Sequence, residues 1–363
     1  MNSETVIARK NRIDRVRQEV NADDAQAVLL TFLPDIRWAC GFTGSNGLLL
    51  ILPEKAHFVT DGRYRGQAHR EVGGAEVHIA SNKLFEVIQD EALLPEEASV
   101  GYQSDHVTVD HLETLRNTFD DASWVPMPRL LWRHVASKEA GEIERICAAQ
   151  RITDRVFEHI CDVIALGKSE QEIAAEIVYA HLKQGAEKMS FDPIVASGPN
   201  GSLPHARPTN RLIQEGDLVV IDMGCFLEGY ASDMTRTVAV GEPTTEARSA
   251  YQTVLEAQEA AINAAHAGMT GQALDAVARS LIEEAGFGEY FSHSLGHGVG
   301  LQIHEWPRVS KQNEEPLPEG AVVSIEPGVY VPEAYGIRIE DLVVLQEDGC
   351  ENLTGAPKAL RVL

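Results

Sequence analysis

The chain runs to 363 residues, of which 44% are hydrophobic and 24% charged, an ordinary globular balance with length for two or three domains. A formal net charge of −24 repels nucleic acid and acidic membrane surfaces, so neither is an expected partner. The longest apolar run, Gly47 to Pro53, is far too short to span a bilayer. Five scattered cysteines without a CxxC pair argue against a disulfide framework and against a thiolate metal site.

The first stretch, IARKNRIDRVRQEV (Ile7–Val20), reads as a helix and has no apolar signal core, so a soluble, cytoplasmic protein is expected. Strands are predicted at Ala25–Thr31, Gly47–Pro53, Ala56–Asp61 and Ala75–Ala80, and a further helix at Val109–Asp120. This is a mixed α/β domain with no catalytic motif of its own. Between Trp124 and Ile146 two prolines give way to a charged, periodic helix with Ser137 as its expected N-cap. The boundary is placed there, giving domains 1–134 and 135–363.

The second domain contains an internal echo. EGDLVVIDMG (Glu215–Gly224) reads against EGAVVSIEPG (Glu319–Gly328) at an offset of 104 residues. Ahead of these, GKSEQEIAAEI (Gly167–Ile177) and GMTGQALDAVA (Gly268–Ala278) are two capped helix starts offset by 101. The unit helix–loop–strand–hairpin therefore occurs twice, and two copies can pack about a pseudo-two-fold axis. The echo sets Asp222 against Glu326.

VVIDMGCFLEGYASDMTRT (Val219–Thr237) is a hairpin with an aspartate inside each strand. With its turn centred on Leu227–Glu228, Asp222 falls directly across from Asp233 on one sheet face. Opposed like charges cost energy, and burying them costs several kcal/mol more without compensation. VVSIEPGVYVPEAYGIRIEDLVVL (Val322–Leu345) repeats the pattern, and a turn near Glu333 sets Glu326 opposite Glu340. The alternative, acids on solvent-facing edge strands, conflicts with the near-continuous apolar runs around them. Four converging carboxylates call for divalent cations, and more than one of them. Oxygen ligands alone favour Mg²⁺, Ca²⁺ or Mn²⁺, whereas an added imidazole moves the preference to Mn²⁺, Co²⁺, Fe²⁺ or Zn²⁺.

HSLGHGVGLQIHEW (His293–Trp306) lies between the hairpins and supplies His293, His297 and His304. Glycines on either side of His297 allow close backbone approach on a tight turn, so His297 is the expected nitrogen ligand. The predicted metal set is Asp222, Asp233, His297, Glu326 and Glu340.

With these residues in hand, the chain resembles the pita-bread metallopeptidases, the group of methionine aminopeptidase, aminopeptidase P and prolidase. DMGCFLEGYASDMTRT, GHGVGLQIHE, SIEPGVY and GIRIEDLVVL carry the resemblance, which covers Val135 to Leu363. It implies an α+β architecture: a C-terminal pita-bread fold with a pseudo-two-fold repeat, preceded by a smaller α/β creatinase-type domain. LPDIRWACGFTGSNGLLLI (Leu33–Ile51) is the part of that first domain that resembles the creatinase type. Creatinase lacks the metal ligands and all five are present here, which also speaks against a catalytically silent binding protein on this fold.

The resemblance further implies two divalent ions, manganese first, with cobalt, zinc or iron as alternatives. Ions ~3.5–4 Å apart can hold a bridging water, lower its pKa and polarise the scissile carbonyl. Glu326 is then both a ligand and a proton partner. His205, in the Gly/Pro/Asn-rich loop Gly198–Asn210, and His304 match donors that orient substrate and stabilise the tetrahedral intermediate. His293 is near enough to support the ligands. Arg338, two residues before Glu340, shares its strand face and holds either a ligand carboxylate or the substrate's.

The first domain and PHARPTN (Pro204–Asn210) favour the proline-specific branch. Its substrates are proline-containing peptides or dipeptides, cut before proline. The expected activity is an aminopeptidase P type, with the prolidase type, restricted to dipeptides, as the alternative. A homodimer is implied, with a loop carrying Asp35 and Arg37 lying over the neighbouring subunit's substrate site.

Overall fold

The computed structural model describes residues 3–22 and 25–363, and the chain divides into two compact units, Met1–Val135 and Ala136–Leu363. The first unit is built on one mixed sheet. In chain order it comprises α1 (Ser3–Ala22), β1 (Ala27–Leu30), α2 (Leu33–Cys40), β2 (Leu48–Ile51), β3 (Ala56–Asp61), α3 (Arg65–Glu71), β4 (Glu76–Ala80), α4 (Leu84–Asp90), β5 (Ser99–Tyr102), α5 (Val109–Thr118) and β6 (Ser123–Pro126). The sheet order is β4-β3-β2-β1-β5-β6, antiparallel at its centre and parallel towards both edges. Ile13, Val16 and Val20 recur at helical spacing and are buried, which seats α1 against α2 and β1.

One expectation changes here. Leu33–Cys40 is a helix, not a loop: Pro34 occupies its first turn and Gly41, at φ 85, caps its end by donating to the Arg37 carbonyl. Asp35 is buried on that helix, where its Oδ2 accepts from Gln103 Nε2 at 2.6 Å.

A short helix, α6 (Trp132–Ala136), leads to the second unit. There α7 (Ala140–Val163) begins at Glu139, whose side chain and that of Glu142 form a reciprocal capping box. Ser137 is therefore not the cap. Its backbone is extended and bridges Ala321, and Lys138 N–H donates to Gly320 O, so the chain is still strand-like at that point.

The repeat is visible in the elements that follow. The first half holds α8 (Glu170–Lys183), β7 (Lys188–Met189), β8 (Ile194–Ser197), β9 (Leu218–Met223), β10 (Cys225–Leu227), β11 (Tyr230–Ala231) and β12 (Met234–Ala239). The second holds α9 (Thr245–Ala264), α10 (Gly271–Glu284), β13 (Gly296–Gly298), β14 (Glu305–Val309), β15 (Val322–Ile325), β16 (Gly328–Val331), β17 (Tyr335–Arg338), β18 (Asp341–Gln346) and β19 (Gly349–Asn352). Ser169 caps α8 and Thr270 caps α10, each accepting from the N–H three residues on, at the offset read from the sequence. Each half has its own apolar core, one of α7 and α8 on the first hairpin, the other of α9 and α10 on the second. The cores meet where Leu218 and Ala239 of the first hairpin join the second cluster.

The hairpins themselves lie side by side. Glu340 N–H donates to Thr235 O at 3.0 Å, and the buried Arg236 guanidinium donates to Glu340 O at 2.6 Å and to Asp341 Oδ1 at 2.7 Å. Thr237 Oγ1 donates to Arg338 O and accepts from Arg338 N–H. These bonds bring the acid-bearing strands of both repeats to one interior.

Candidate metal centre

In the second hairpin, Ile325 pairs with Asp341 and Gly328 with Arg338. Both ladders keep one register, which sets Glu326 opposite Glu340. The first hairpin is shifted from expectation. Its turn is Glu228–Gly229, both at positive φ (49° and 77°), a geometry whose twist suits a two-residue hairpin loop. Asp222 therefore pairs with Thr235 rather than with Asp233. The shift is two residues, one full pleat, so Asp233 stays on the face of Asp222 as its diagonal neighbour.

His297 also departs from expectation, because it sits inside strand β13 rather than on a tight turn. The flanking glycines do serve close approach: a Cβ on Gly296 would overlap the Ser324 carbonyl, and one on Gly298 would lie 2.6 Å from Trp306 O. His297 Nδ1 donates to Gly298 O at 3.1 Å, which leaves the Nε2 lone pair facing Glu326 Oε1 at 3.3 Å and Asp233 Oδ2 at 3.7 Å. Ligand atoms of Asp233, His297 and Glu340, all buried, lie within 4.8 Å of one another.

The surrounding bonds hold these side chains in place. Glu340 Oε2 accepts from Thr235 Oγ1 at 2.7 Å and Glu326 Oε1 from Ser324 Oγ at 3.2 Å. Arg338 donates through Nη2 to Asp222 Oδ2 (2.6 Å), through Nε to Thr235 Oγ1 (3.0 Å), and through Nη1 to Tyr330 OH (2.7 Å) and Pro204 O (3.1 Å). The grip of the guanidinium on the Asp222 carboxylate fits the first of its two expected roles, and Arg338 also lines the cleft onto which these side chains open. His293 Nε2 bonds Tyr330 OH at 2.9 Å, so a chain of contacts runs His293–Tyr330–Arg338–Asp222. Thr235, Ser324 and Tyr330 escape a reading of the sequence for acids and histidines. For Thr235 and Ser324 the signal is the strand period, because Thr235 follows Asp233 by two and Ser324 precedes Glu326 by two.

Electrostatics shows what the site favours. Burial, then the charges of Glu340, Asp222 and Glu326, push the Asp233 carboxyl well above its ordinary value. Burial and the Glu326 and Asp222 charges do the same to Glu340. Glu326 rises to about 7, chiefly through burial, with Arg338 opposing. Burial, then the adjacent His304 ring, lowers His297 to about 3, so the imidazole is neutral. Asp222 Oδ1 is buried without a hydrogen-bond partner among the described residues. An orphaned oxygen, a free imidazole lone pair and acids that resist ionising together form a donor set that fits divalent cations.

The set opens on a cleft of about 540 Å³. His205, Arg207, His293, His304 and Arg308 line it together with the carboxylates. The His304 ring stands edge-on to His297 with centroids 4.3 Å apart. Asp35 and Arg37 belong to the other unit, on α2.

Buried acids from two repeated hairpins, converging on one imidazole, define a metallohydrolase centre on the pita-bread fold. Residues 144–347 match the model of metallopeptidase family M24, and residues 12–134 match the creatinase/prolidase N-terminal domain. The chain belongs to metallopeptidase family M24. It is similar to the Xaa-Pro dipeptidase of Pyrococcus horikoshii, 35% identical over 96% of this chain and 98% of that one. Among solved structures it is similar to an Xaa-Pro dipeptidase from Bacillus anthracis (37% identity, TM-score 0.94, 98% and 100% covered). It is also similar to an X-Pro aminopeptidase from Thermotoga maritima (37% identity, TM-score 0.88, 95% and 100% covered). No helix among the described residues is long and apolar enough to cross a membrane.

Proposed function

We propose that this protein is a metal-dependent Xaa-Pro dipeptidase that hydrolyses the peptide bond before a C-terminal proline. The observation that carries the reading is the polarity of the cleft lining: carboxylates and His297 together with Arg207 and Arg308. A dipeptide presents a scissile carbonyl and a free carboxylate one residue apart, which matches a cleft that combines metal-binding groups with cationic side chains. The sequence alone put removal of Xaa-Pro from longer peptides first. Relatives named Xaa-Pro dipeptidase, matched over nearly the whole chain, support the dipeptide reading better.

Asp222, Asp233, His297, Glu326 and Glu340 are the ligands of two divalent ions in this reading, with manganese as the native metal and cobalt, zinc or iron as substitutes. Bound there, the ions would lower the pKa of a water and polarise the carbonyl under attack. The chain's own side chains do the rest. Arg338 is a positioning residue that fixes the Asp222 carboxylate, with His293 and Tyr330 bracing it. Glu326 takes the proton released by the attacking water and returns it to the leaving nitrogen. His304 and His205 donate hydrogen bonds to the oxygen on which negative charge develops. The enzyme acts as a homodimer. Asp35 stays a structural partner of Gln103, and Arg37 is the residue of that pair with a role towards the neighbouring subunit.

Assays on Ala-Pro and Ala-Pro-Ala, with added Mn²⁺ and with chelator, test the proposal. Metal-dependent cleavage of the dipeptide alone is expected. Cleavage of the tripeptide alone would establish the aminopeptidase reading instead, and no metal-dependent cleavage of either would defeat both.

A further inference from the structure

A second cluster of metal-ligating side chains lies far from this chemistry in sequence and wholly within the first unit. His57 on β3 and Glu76 on β4 are partners in a parallel ladder, and His78 follows Glu76 by two residues. Residues two apart on a strand share a face, so both imidazoles and the carboxylate stand on the same side of the sheet. That side carries the core formed by Val59, Ile88 and their neighbours. His57 is 5% exposed although it is neither apolar nor part of the peptidase site.

The distances are those of a ligand set. His57 Nδ1 and His78 Nε2 are 3.0 Å apart, and His57 Nδ1 is 3.8 Å from Glu76 Oε2. Ligand atoms of the three residues all lie within 4.8 Å of one another. Zinc–nitrogen bonds of ~2.0–2.1 Å in a tetrahedron place neighbouring donors about 3.3 Å apart, a spacing that these two distances bracket. The Glu76 side chain is 64% exposed, so it can close on an ion by simple rotation.

Glu91, just past α4, completes the arrangement. Its Oε2 lies 2.7 Å from His78 Nδ1 and accepts that nitrogen's proton, which turns the lone pair of His78 Nε2 towards His57. A carboxylate that holds the far nitrogen of an imidazole is the usual outer support of a histidine metal ligand. The proton in the His57–His78 contact then belongs to His57 Nδ1. A metal entering between the rings requires only that this proton move to Nε2 of the same ring, with no net change in protonation. Two imidazoles and one carboxylate with an open fourth position suit zinc, or cobalt and nickel, better than the oxygen-preferring ions.

We propose that His57, His78 and Glu76, with Glu91 orienting His78, form a zinc-class metal site on the first unit, separate from the peptidase centre. An ion there ties edge strand β4 to β3 and, through Glu91, to the end of α4.

The full-length protein, stripped with chelator and then equilibrated with Zn²⁺ alone and desalted, is compared with its His78→Ala variant by elemental analysis. The wild type is expected to keep one more zinc per chain, with no change in the peptidase activity of manganese-loaded His78→Ala. Cobalt in place of zinc should give, in the wild type only, the additional absorption of a tetrahedral site. Glu76→Gln and Glu91→Gln lie at the surface and leave the core intact, so they keep the test open if His78→Ala misfolds. Glu91→Gln should weaken that zinc about 10–100-fold, and Glu76→Gln, which removes a direct ligand, by at least as much. Equal zinc content in the wild type and all three variants would overturn the site.

Discussion

Arg338 Nη2 donates to Asp222 Oδ2 at 2.6 Å, while the other oxygen of that carboxylate is buried with no partner among the described residues. The guanidinium thus aims one oxygen by holding the other. Arg338→Ala should leave Asp222 ungripped and the acid cluster without its buried cation, and weaken metal binding about 10–100-fold, the cost usual for losing an outer support. Arg338→Lys cannot reproduce the fork that reaches Asp222, Thr235, Tyr330 and Pro204 together, so it should rescue little. Metal titration of both variants, with circular dichroism as a check on folding, reads this directly. Wild-type affinity in Arg338→Ala would remove the positioning role.

Ligand-type atoms of Asp233, Glu340 and His297 lie within 4.8 Å of one another. Asp233→Ala or Glu340→Ala should abolish bound metal and nearly all activity. Full turnover with metal retained in either variant would refute the ligand assignment.

His304 lies against His297 and lines the cleft. His304→Ala should keep the metal and slow turnover roughly 10²-fold or more, the range for a lost acid–base or oxyanion partner. Metal content and kcat measured on one preparation separate this from a ligand's behaviour, in which both fall together.

The metal's contribution to stability should depend on pH with a fixed sign. Glu326 rises from 4.5 to about 7 on folding. A raised folded value means that this group favours the metal-free fold below about pH 4.5, and that the benefit is lost as pH climbs through about 7. Divalent ions bind the ionised carboxylates and the neutral imidazole, so they replace that loss most fully above pH 7. The difference in Tm between loaded and chelator-stripped protein should therefore be large at pH 8 and several-fold smaller at pH 5.5. A difference that stays constant or grows on acidification would contradict the arrangement.

Much of the architecture is local and therefore readable in the chain. β1 to β4, α1 and α5 fall where alternation and helical spacing predict them, and Ser169 and Thr270 announce the repeat because a cap needs only its own first turn. The acids at Asp222, Asp233, Glu326 and Glu340 stand out in the sequence because a charge amid apolar residues is anomalous, although only Asp222 lies within a strand and the other three fall in the gaps between β11 and β12, β15 and β16, and β17 and β18. The helix at Leu33–Cys40 was also legible, from Pro34 and Gly41, and was masked by its apolar, strand-like neighbours.

Residue chemistry and short-range periodicity thus determined which groups are candidate metal ligands and the two-fold repetition of the elements that carry them. Tertiary structure decided what depends on contacts between distant segments. The turn at Glu228–Gly229 moved the first hairpin by one pleat, backbone crowding at Ser324 placed His297 within a strand, and the bridge of Ser137 to Ala321 pushed the start of α7 to Glu139. The hydrogen bond of Arg338 to Asp222 joins residues 116 apart in the chain. Such pairings are settled by how cores and ladders pack, and the energies that select them exist only once the chain has closed on itself.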